Sequence, residues 1–210
     1  TSNKARPRTK DRPDYSAAQT ATIIEVDRGR VKCLVEGPDG KKVITAMKAR
    51  ELGKKSVVVG DLVSIVGDIS GDEGSLARVV TVLPRKNSLT RSIDDHANDE
   101  RVIVANIDQM AIVIAAANPE PRVGLVDRAL AVAYDQGITP IIVMTKKDLA
   151  DGDDFLQIYK DLEILVFKID RASDLTALQK VLLGKTTVLL GHSGVGKSTL
   201  VNNLLACSQN

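Results

Sequence analysis

The chain has 210 residues, 43% of them apolar, with 29 Lys and Arg against 27 Asp and Glu for a formal charge of +2. That length allows one large or two small domains with real cores, and the near-neutral balance requires any nucleic-acid binding to come from local patches. Cys33 and Cys207 lie far apart, fit no zinc spacing and read as free thiols of a cytoplasmic protein, while the longest apolar run, Met110 to Ala117, is too short to span a membrane.

The chain opens on Thr with no signal-peptide pattern, so its natural start is expected further upstream. Residues 1–18 carry Lys4, Arg6, Arg8, Lys10 and Arg12 without apolar periodicity, which predicts a disordered basic arm. Composition fits a solvated tail and an arm lying on phosphate backbone equally well. Residues 19–86 are short β-like runs, QTATIIEV, RVKCLVE, KVITAM, DLVSIVGD and SLARVVTVL, separated by turn chemistry such as DRGR, GPDG and SGDEG. Five short strands in that span predict a small β-barrel, OB-like first and SH3-like second. Residues 19–83 hold no Phe, Tyr or Trp, so this barrel has no aromatic platform for stacking bases and is expected to read backbone and shape. Lys41, Lys42, Lys48, Arg50, Lys54 and Lys55 are the candidate RNA contacts, against the plainer reading of a solvated basic surface on a spacer domain. Residues 87–99 read as a linker, and His96 among Asp94, Asp95 and Asp99 reads as a solvated acidic turn rather than a metal site.

From residue 100 to 210 the pattern becomes alternating strands and helices. RVIVANI, QMAIVIAAA, TPIIVM, EILVFKI and TTVLL read as strands; LVDRALAVAYDQG, FLQIYKDL, DLTALQKVLL and KSTLVNNLLA read as helices. This alternation predicts a doubly wound α/β sheet, whose ligands bind at the carboxyl ends of its strands.

Two of those strand ends carry chemistry. GHSGVGKST fits G-x-x-x-x-G-K-[ST]: Gly191, His192, Ser193, Gly194, Val195 and Gly196 turn backbone N–H groups toward phosphate oxygens, Lys197 reaches the outer phosphates, Ser198 is placed to hold Mg²⁺, and Thr199 continues into a helix N-terminus. The second element, Thr145, Lys146, Lys147 and Asp148, resembles the N-K-x-D guanine-recognition motif. One carboxylate accepts from both N1–H and the exocyclic amine of guanine, a donor pair that adenine lacks. The Lys146 stem covers base and ribose, and Lys147 holds the variable position. Thr145 stands where Asn is usual, with a shorter reach toward base and phosphate loop.

Asp148 precedes Lys197, the reverse of the usual order, so the domain reads as circularly permuted. With a basic arm, an OB-like barrel and the stretches VANIDQMAIVIAAANPEPRVGLVDRAL, GITPIIVMTKKDL and GHSGVGKSTLVNNLL, the chain resembles the ribosome small subunit-dependent GTPase A (RsgA/YjeQ) family, the permuted GTPases of bacterial ribosome assembly. The resemblance implies GTP and GDP with Mg²⁺ as ligands, hydrolysis stimulated by the small ribosomal subunit, a role in its late maturation, rRNA as the barrel's partner, and a cytoplasmic monomer with no membrane contact. It also implies a D-x-P-G switch element, a switch threonine and a zinc-binding Cys/His module beyond Asn210, so no water-positioning catalytic residue is assigned within this chain. The family's third nucleotide-contacting loop should fall near VFKIDRASDL, which lacks the expected Ser-Ala character and receives no contact residue. Two rival readings stand beside this one: a P-loop ATPase with an incidental T-K-K-D, and an RNA-binding protein with an inert nucleotide domain.

Overall fold

The computed structural model describes residue 15 and residues 18–37, 40–52, 57–92 and 100–207. The basic arm with Lys4, Arg6, Arg8, Lys10 and Arg12, together with Lys54, Lys55 and the turn around His96, lies outside the described residues. Two compact units divide between Pro84 and Arg85.

The first unit is a closed barrel of five strands, β1 (Gln19–Val26), β2 (Val31–Gly37), β3 (Gly40–Lys48), β4 (Leu62–Gly67) and β5 (Ala77–Val82). Their order around the barrel is β1-β2-β3-β5-β4, with β4 returning to β1. β3 and β5 run parallel while the other pairs are antiparallel. This arrangement selects the OB-like alternative over the SH3-like one, and closure leaves no edge strand exposed. Period-two alternation explains the interior: Ala21, Ile23, Val31, Cys33, Val35, Ile44, Ala46, Val63, Ile65, Ala77 and Val79 point inward and are buried. Burial raises the Cys33 thiol to about 11, so it stays protonated and unreactive. One buried carboxylate closes the turn before β4: Asp61 Oδ2 accepts the Val58 N–H at 2.9 Å, and the Asp61 carbonyl accepts from Ile23 N–H at 2.9 Å.

The second unit is built on a parallel sheet of β8 (Gln109–Ala115), β9 (Thr139–Thr145), β10 (Leu165–Lys168) and β11 (Thr187–Leu190), ordered β10-β9-β8-β11. Every residue of β8 is buried, as a central parallel strand covered on both faces must be. Alternate residues divide between two cores. Met110, Ile112 and Ile114 pack with Val126, Ala129, Leu130 and Ala133 of α1 (Val123–Asp135). Ala111, Val113 and Ala115 pack with Leu178 of α3 (Thr176–Leu182) and Leu200 of α4 (Lys197–Cys207). The α1 positions follow the i, i+3, i+4, i+7 spacing of one helix face. That helix ends in a Schellman turn, with Ile138 N–H on Ala133 O at 2.7 Å and Gly137 N–H on Tyr134 O at 3.2 Å. The short α2 (Asp153–Leu156) leads into a 3₁₀ turn, Gln157–Leu162, where sequence pattern suggests one short helix.

One expectation is corrected. The stretch read as a linker contains β6 (Ser88–Ser92), which pairs antiparallel with β7 (Glu100–Ala105), so RVIVANI belongs to a hairpin and not to the parallel sheet. The side chain of Asn87 ties this hairpin down, accepting from Ile107 N–H at 2.7 Å and donating to Ile107 O at 2.8 Å. Asp108, which pairs with Lys86, accepts the Thr186 N–H at 2.7 Å, and these bonds hold its carboxyl below the usual carboxylate range. Among the described residues no helix is long and apolar enough to cross a membrane.

Asp61 generates a test of the barrel. Asp61→Ala leaves the buried Val58 N–H without its acceptor and is expected to cost about 1–3 kcal/mol. Urea unfolding followed by circular dichroism measures it, and an unchanged midpoint contradicts the capping role.

Candidate nucleotide-binding site

The parallel sheet places four loops at its carboxyl edge, and three of them enclose a cavity of about 480 Å³. Thr145 ends β9, and Lys146, Asp148 and Leu149 come from the loop after it. Ile169, Asp170, Arg171 and Leu175 come from the loop after β10. Gly194, Gly196, Thr199, Leu200 and Asn203 come from the loop after β11 and the start of α4. The chain reverses its direction of travel across the sheet here: β8, β9 and β10 extend one way, and β11 then adds on the other side of β8. Open α/β sheets bind ligands at such a reversal.

The glycine-rich loop is shaped by what surrounds it. A Cβ on Gly191 would stand 2.3 Å from the carbonyl oxygen of Val113, a backbone atom that has no room to move aside. Val195 inserts its side chain into the core with Ala111, Val113 and Leu200, and the flanking Gly194 and Gly196 adopt φ of 81° and 94° to let the chain turn around it. Lys197 folds back over the loop, its Nζ donating to Gly191 O at 2.8 Å and to His192 O at 2.6 Å. His192, Ser193, Ser198 and Thr199 are exposed, leaving the Ser198 hydroxyl and the loop's surface open to a ligand. A hollow of glycine backbone with a lysine across it and an exposed serine at the helix start fits phosphate and Mg²⁺.

Thr145 answers the question its departure from Asn raises. It is buried, its Oγ1 lies 2.6 Å from Val195 O and 3.2 Å from Ile114 O, and the single hydroxyl proton donates to the nearer carbonyl of the phosphate loop. The shorter side chain therefore still joins the two motifs directly. Lys146, at φ 57°, sends its ammonium to the carbonyl of Asn118 in the loop after β8. Lys147 is not among the lining residues; it pairs with Asp170 at 3.7 Å while its N–H donates to Ile169 O at 3.2 Å. Asp148 faces the cavity and is exposed rather than buried, so a bound base, not the protein, must exclude water from it.

The loop after β10 is the larger surprise. IDRAS lacks Ser-Ala character at its start, yet Ile169, Asp170 and Arg171 line the cavity. Asp170 Oδ1 accepts from Ala172 N–H and Ser173 Oγ–H, both at 2.9 Å, and these bonds lower its carboxyl pKa. An Asp followed three residues later by Ser is a turn signal that could have located this wall. The barrel candidates belong to the chain's other unit. Lys41 pairs with Glu36 at 3.1 Å, Lys42 donates to Ser70 O at 3.3 Å, and Lys48 and Arg50 are exposed.

A glycine-rich phosphate-type loop reached through β11, after the β9 element, on a parallel sheet preceded by a five-stranded barrel, defines a circularly permuted P-loop domain behind an OB-like barrel. The family model described as RsgA GTPase matches residues 82–210, and the chain belongs to that family. It is 34% identical over 201 residues to the small ribosomal subunit biogenesis GTPase RsgA of Streptomyces avermitilis, covering 91% of this chain and 52% of that protein. The protein of the same name from Variovorax paradoxus is 37% identical over 192 residues, covering 87% and 56%. Among solved structures, YjeQ from Thermotoga maritima superimposes with a TM-score of 0.69 at 25% identity over 89% of this chain and 65% of that one. YloQ, described as a circularly permuted GTPase, gives 0.66 at 27% identity over 94% and 66%. The chain spans about half the length of the curated relatives it matches.

Thr145→Val keeps the shape and removes the hydroxyl, leaving the Val195 carbonyl without its short bond. The expected cost is about 1–3 kcal/mol, with a measurable drop in the thermal unfolding midpoint. Wild-type stability in that variant contradicts the link between the two loops.

Proposed function

We propose that this chain is the nucleotide-binding part of a GTP-hydrolysing factor that acts in late maturation of the small ribosomal subunit. The observation that carries the reading is that the exposed Asp148 carboxylate and the glycine-rich loop face one cavity and are joined through Thr145. Guanine lies against Asp148 with Lys146 alongside. The phosphates rest on Gly191 to Thr199, and Ser198 holds Mg²⁺, which neutralises phosphate charge when bound. Asp170 and Arg171 form the wall opposite the phosphate loop. No residue of this chain is assigned to the attacking water, since phosphoryl transfer depends on groups that position it and on cations that stabilise the developing charge.

The partner reading rests on the relatives' printed names and on local charge. The small subunit offers phosphate backbone, which suits a barrel lacking aromatics but presenting Lys41, Lys42, Lys48 and Arg50. The basic arm, Lys54 and Lys55 extend that proposal beyond the described residues. Zinc fits none of the described residues: no cluster of His, Cys, Asp and Glu among them is suited to a metal, and Cys33 is buried in the barrel core. A zinc module is assigned to the portion of the relatives' length that this chain does not span. A monomer in the cytoplasm completes the proposal.

Competition against a fluorescent guanine nucleotide tests the reading. GTP and GDP should displace it and ATP should not; equal displacement by ATP supports the ATPase alternative. Asp148→Ala should reduce the preference for GTP over ATP by about a hundredfold or more, and an unchanged preference removes the guanine assignment. Lys197→Ala should abolish nucleotide binding, and retained affinity counts against the phosphate loop. Small-subunit binding that falls with salt yet ignores nucleotide favours the inert RNA-binding alternative.

A further inference from the structure

The loop that carries Asp148 is crowded with like charge: Asp148, Asp151, Asp153 and Asp154 fall within seven residues. Asp148 serves guanine only while its carboxylate is unpaired and aimed at the cavity. The three lysines of the neighbouring segments are engaged elsewhere. Lys146 is on Asn118 O, Lys147 is on Asp170, and Lys168, the last residue of β10, donates to Asp151 and, at 2.8 Å, to Asp153. Among the described residues no cation pairs with Asp148.

We infer that Lys168 is a positioning residue for guanine recognition: by bridging Asp151 and Asp153 it ties the returning limb of the loop to β10 and keeps the Asp148 carboxylate turned to the cavity. The inference rests on the nucleotide reading above. The outgoing limb is already fixed by Thr145 and by the Lys147 N–H on Ile169 O. A turn follows, closed by Leu149 N–H on Lys146 O at 2.9 Å, and it presents Asp148. The returning limb passes Gly152, at φ 71°, where a Cβ would stand 2.3 Å from Met144 Sδ. Lys168 is the register partner of Met144 across β9 and β10, so the glycine contact and the cation bridge grip the loop at one level of the sheet. Between them, the outgoing and returning grips fix both ends of the segment that carries Asp148. The Lys168 bond holds the Asp153 carboxyl below its usual range, and the bonds to Asp151 and Asp153 push Lys168 up, which favours the charged form of each. Single exposed ion pairs contribute little to stability, but one ammonium shared by two carboxylates of a loop constrains where that loop goes.

The test compares GDP with IDP, whose base lacks the exocyclic amine and so makes one bond fewer to Asp148. Dissociation constants come from displacement of a fluorescent GDP analogue on the purified protein. Lys168→Met keeps the methylenes and removes the charge; it should weaken GDP by about three- to tenfold and IDP by less, so that the GDP-to-IDP ratio contracts. Lys168→Arg, which retains both ion pairs, should restore the ratio. The double variant Asp151→Asn with Asp153→Asn removes the same bridge from the other side, and should contract the ratio even if Lys168→Met does not fold. An unchanged ratio in either folded variant, or equal loss for both nucleotides, overturns the positioning role. Equal binding of GDP and IDP by the unsubstituted protein overturns the guanine reading itself, and that outcome is visible before any substitution is made.

Discussion

The hydrogen bond from the Thr145 hydroxyl to the Val195 carbonyl spans 50 positions of sequence and joins the end of β9 to the loop after β11, two strands that are not neighbours in the sheet. Everything at the cavity depends on that separation being held. β8 lies between β9 and β11, and it is buried along its whole length, so the two flanking strands are spaced by a rigid central element. Thr145 reaches past β8, also lying 3.2 Å from Ile114 O, and stops at the phosphate loop. An Asn would have more reach; the threonine needs the loop to come to it, and the Val195 side chain, sunk in the core, brings it there. The glycine at Gly191 serves the same end, since only its bare Cα lets the loop lie against the Val113 carbonyl.

Much of this was legible in the sequence because it depends on short-range rules. The barrel strands announce themselves by alternation and by glycine-rich turns between them. α1 does so by Val126, Ala129, Leu130 and Ala133 on one face, and the phosphate loop does so by fixed spacing. What was not legible depends on contacts between distant segments. Ser88–Ser92 is short and mostly polar, without the apolar alternation that marks a strand, so its pairing with Glu100–Ala105 and the Asn87 bonds beside it are what make it one. Asp170 and Arg171 reach the cavity because β10 stays in register with β9 to its last residue, which IDRAS alone does not reveal. Nor does T-K-K-D show that its second lysine turns away to Asp170 while its first spans to Asn118.

Charge is arranged differently in the two units. On the barrel, lysines sit beside carboxylates: Lys32 with Glu25 at 2.8 Å and Lys41 with Glu36 at 3.1 Å. All four side chains are at least half exposed, so each pair is worth at most about 1 kcal/mol. Such a surface carries little net field at a distance, in keeping with a chain of charge +2. Around the cavity, Lys147 and Lys168 pair with Asp170, Asp151 and Asp153, while among the described residues Asp148 has no ion pair.

The permuted order follows from the same geometry. A parallel sheet delivers the loops after β8, β9, β10 and β11 to one edge whatever their order in the chain, because each strand is reached by a crossover that returns to the opposite edge. The loops then need only lateral ties, and the structure supplies one at each junction: Lys146 to the Asn118 carbonyl, Lys147 to Ile169 and Asp170, Thr145 to Val195. Three of these four ties use backbone carbonyls as acceptors. A carbonyl is present whatever the side chain, and the Lys147 tie to Ile169 is backbone at both ends, so side-chain identity matters mainly for the donors Thr145 and Lys146. Rearranged connectivity and a changed wall such as IDRAS are compatible with the site while those two donors keep their places.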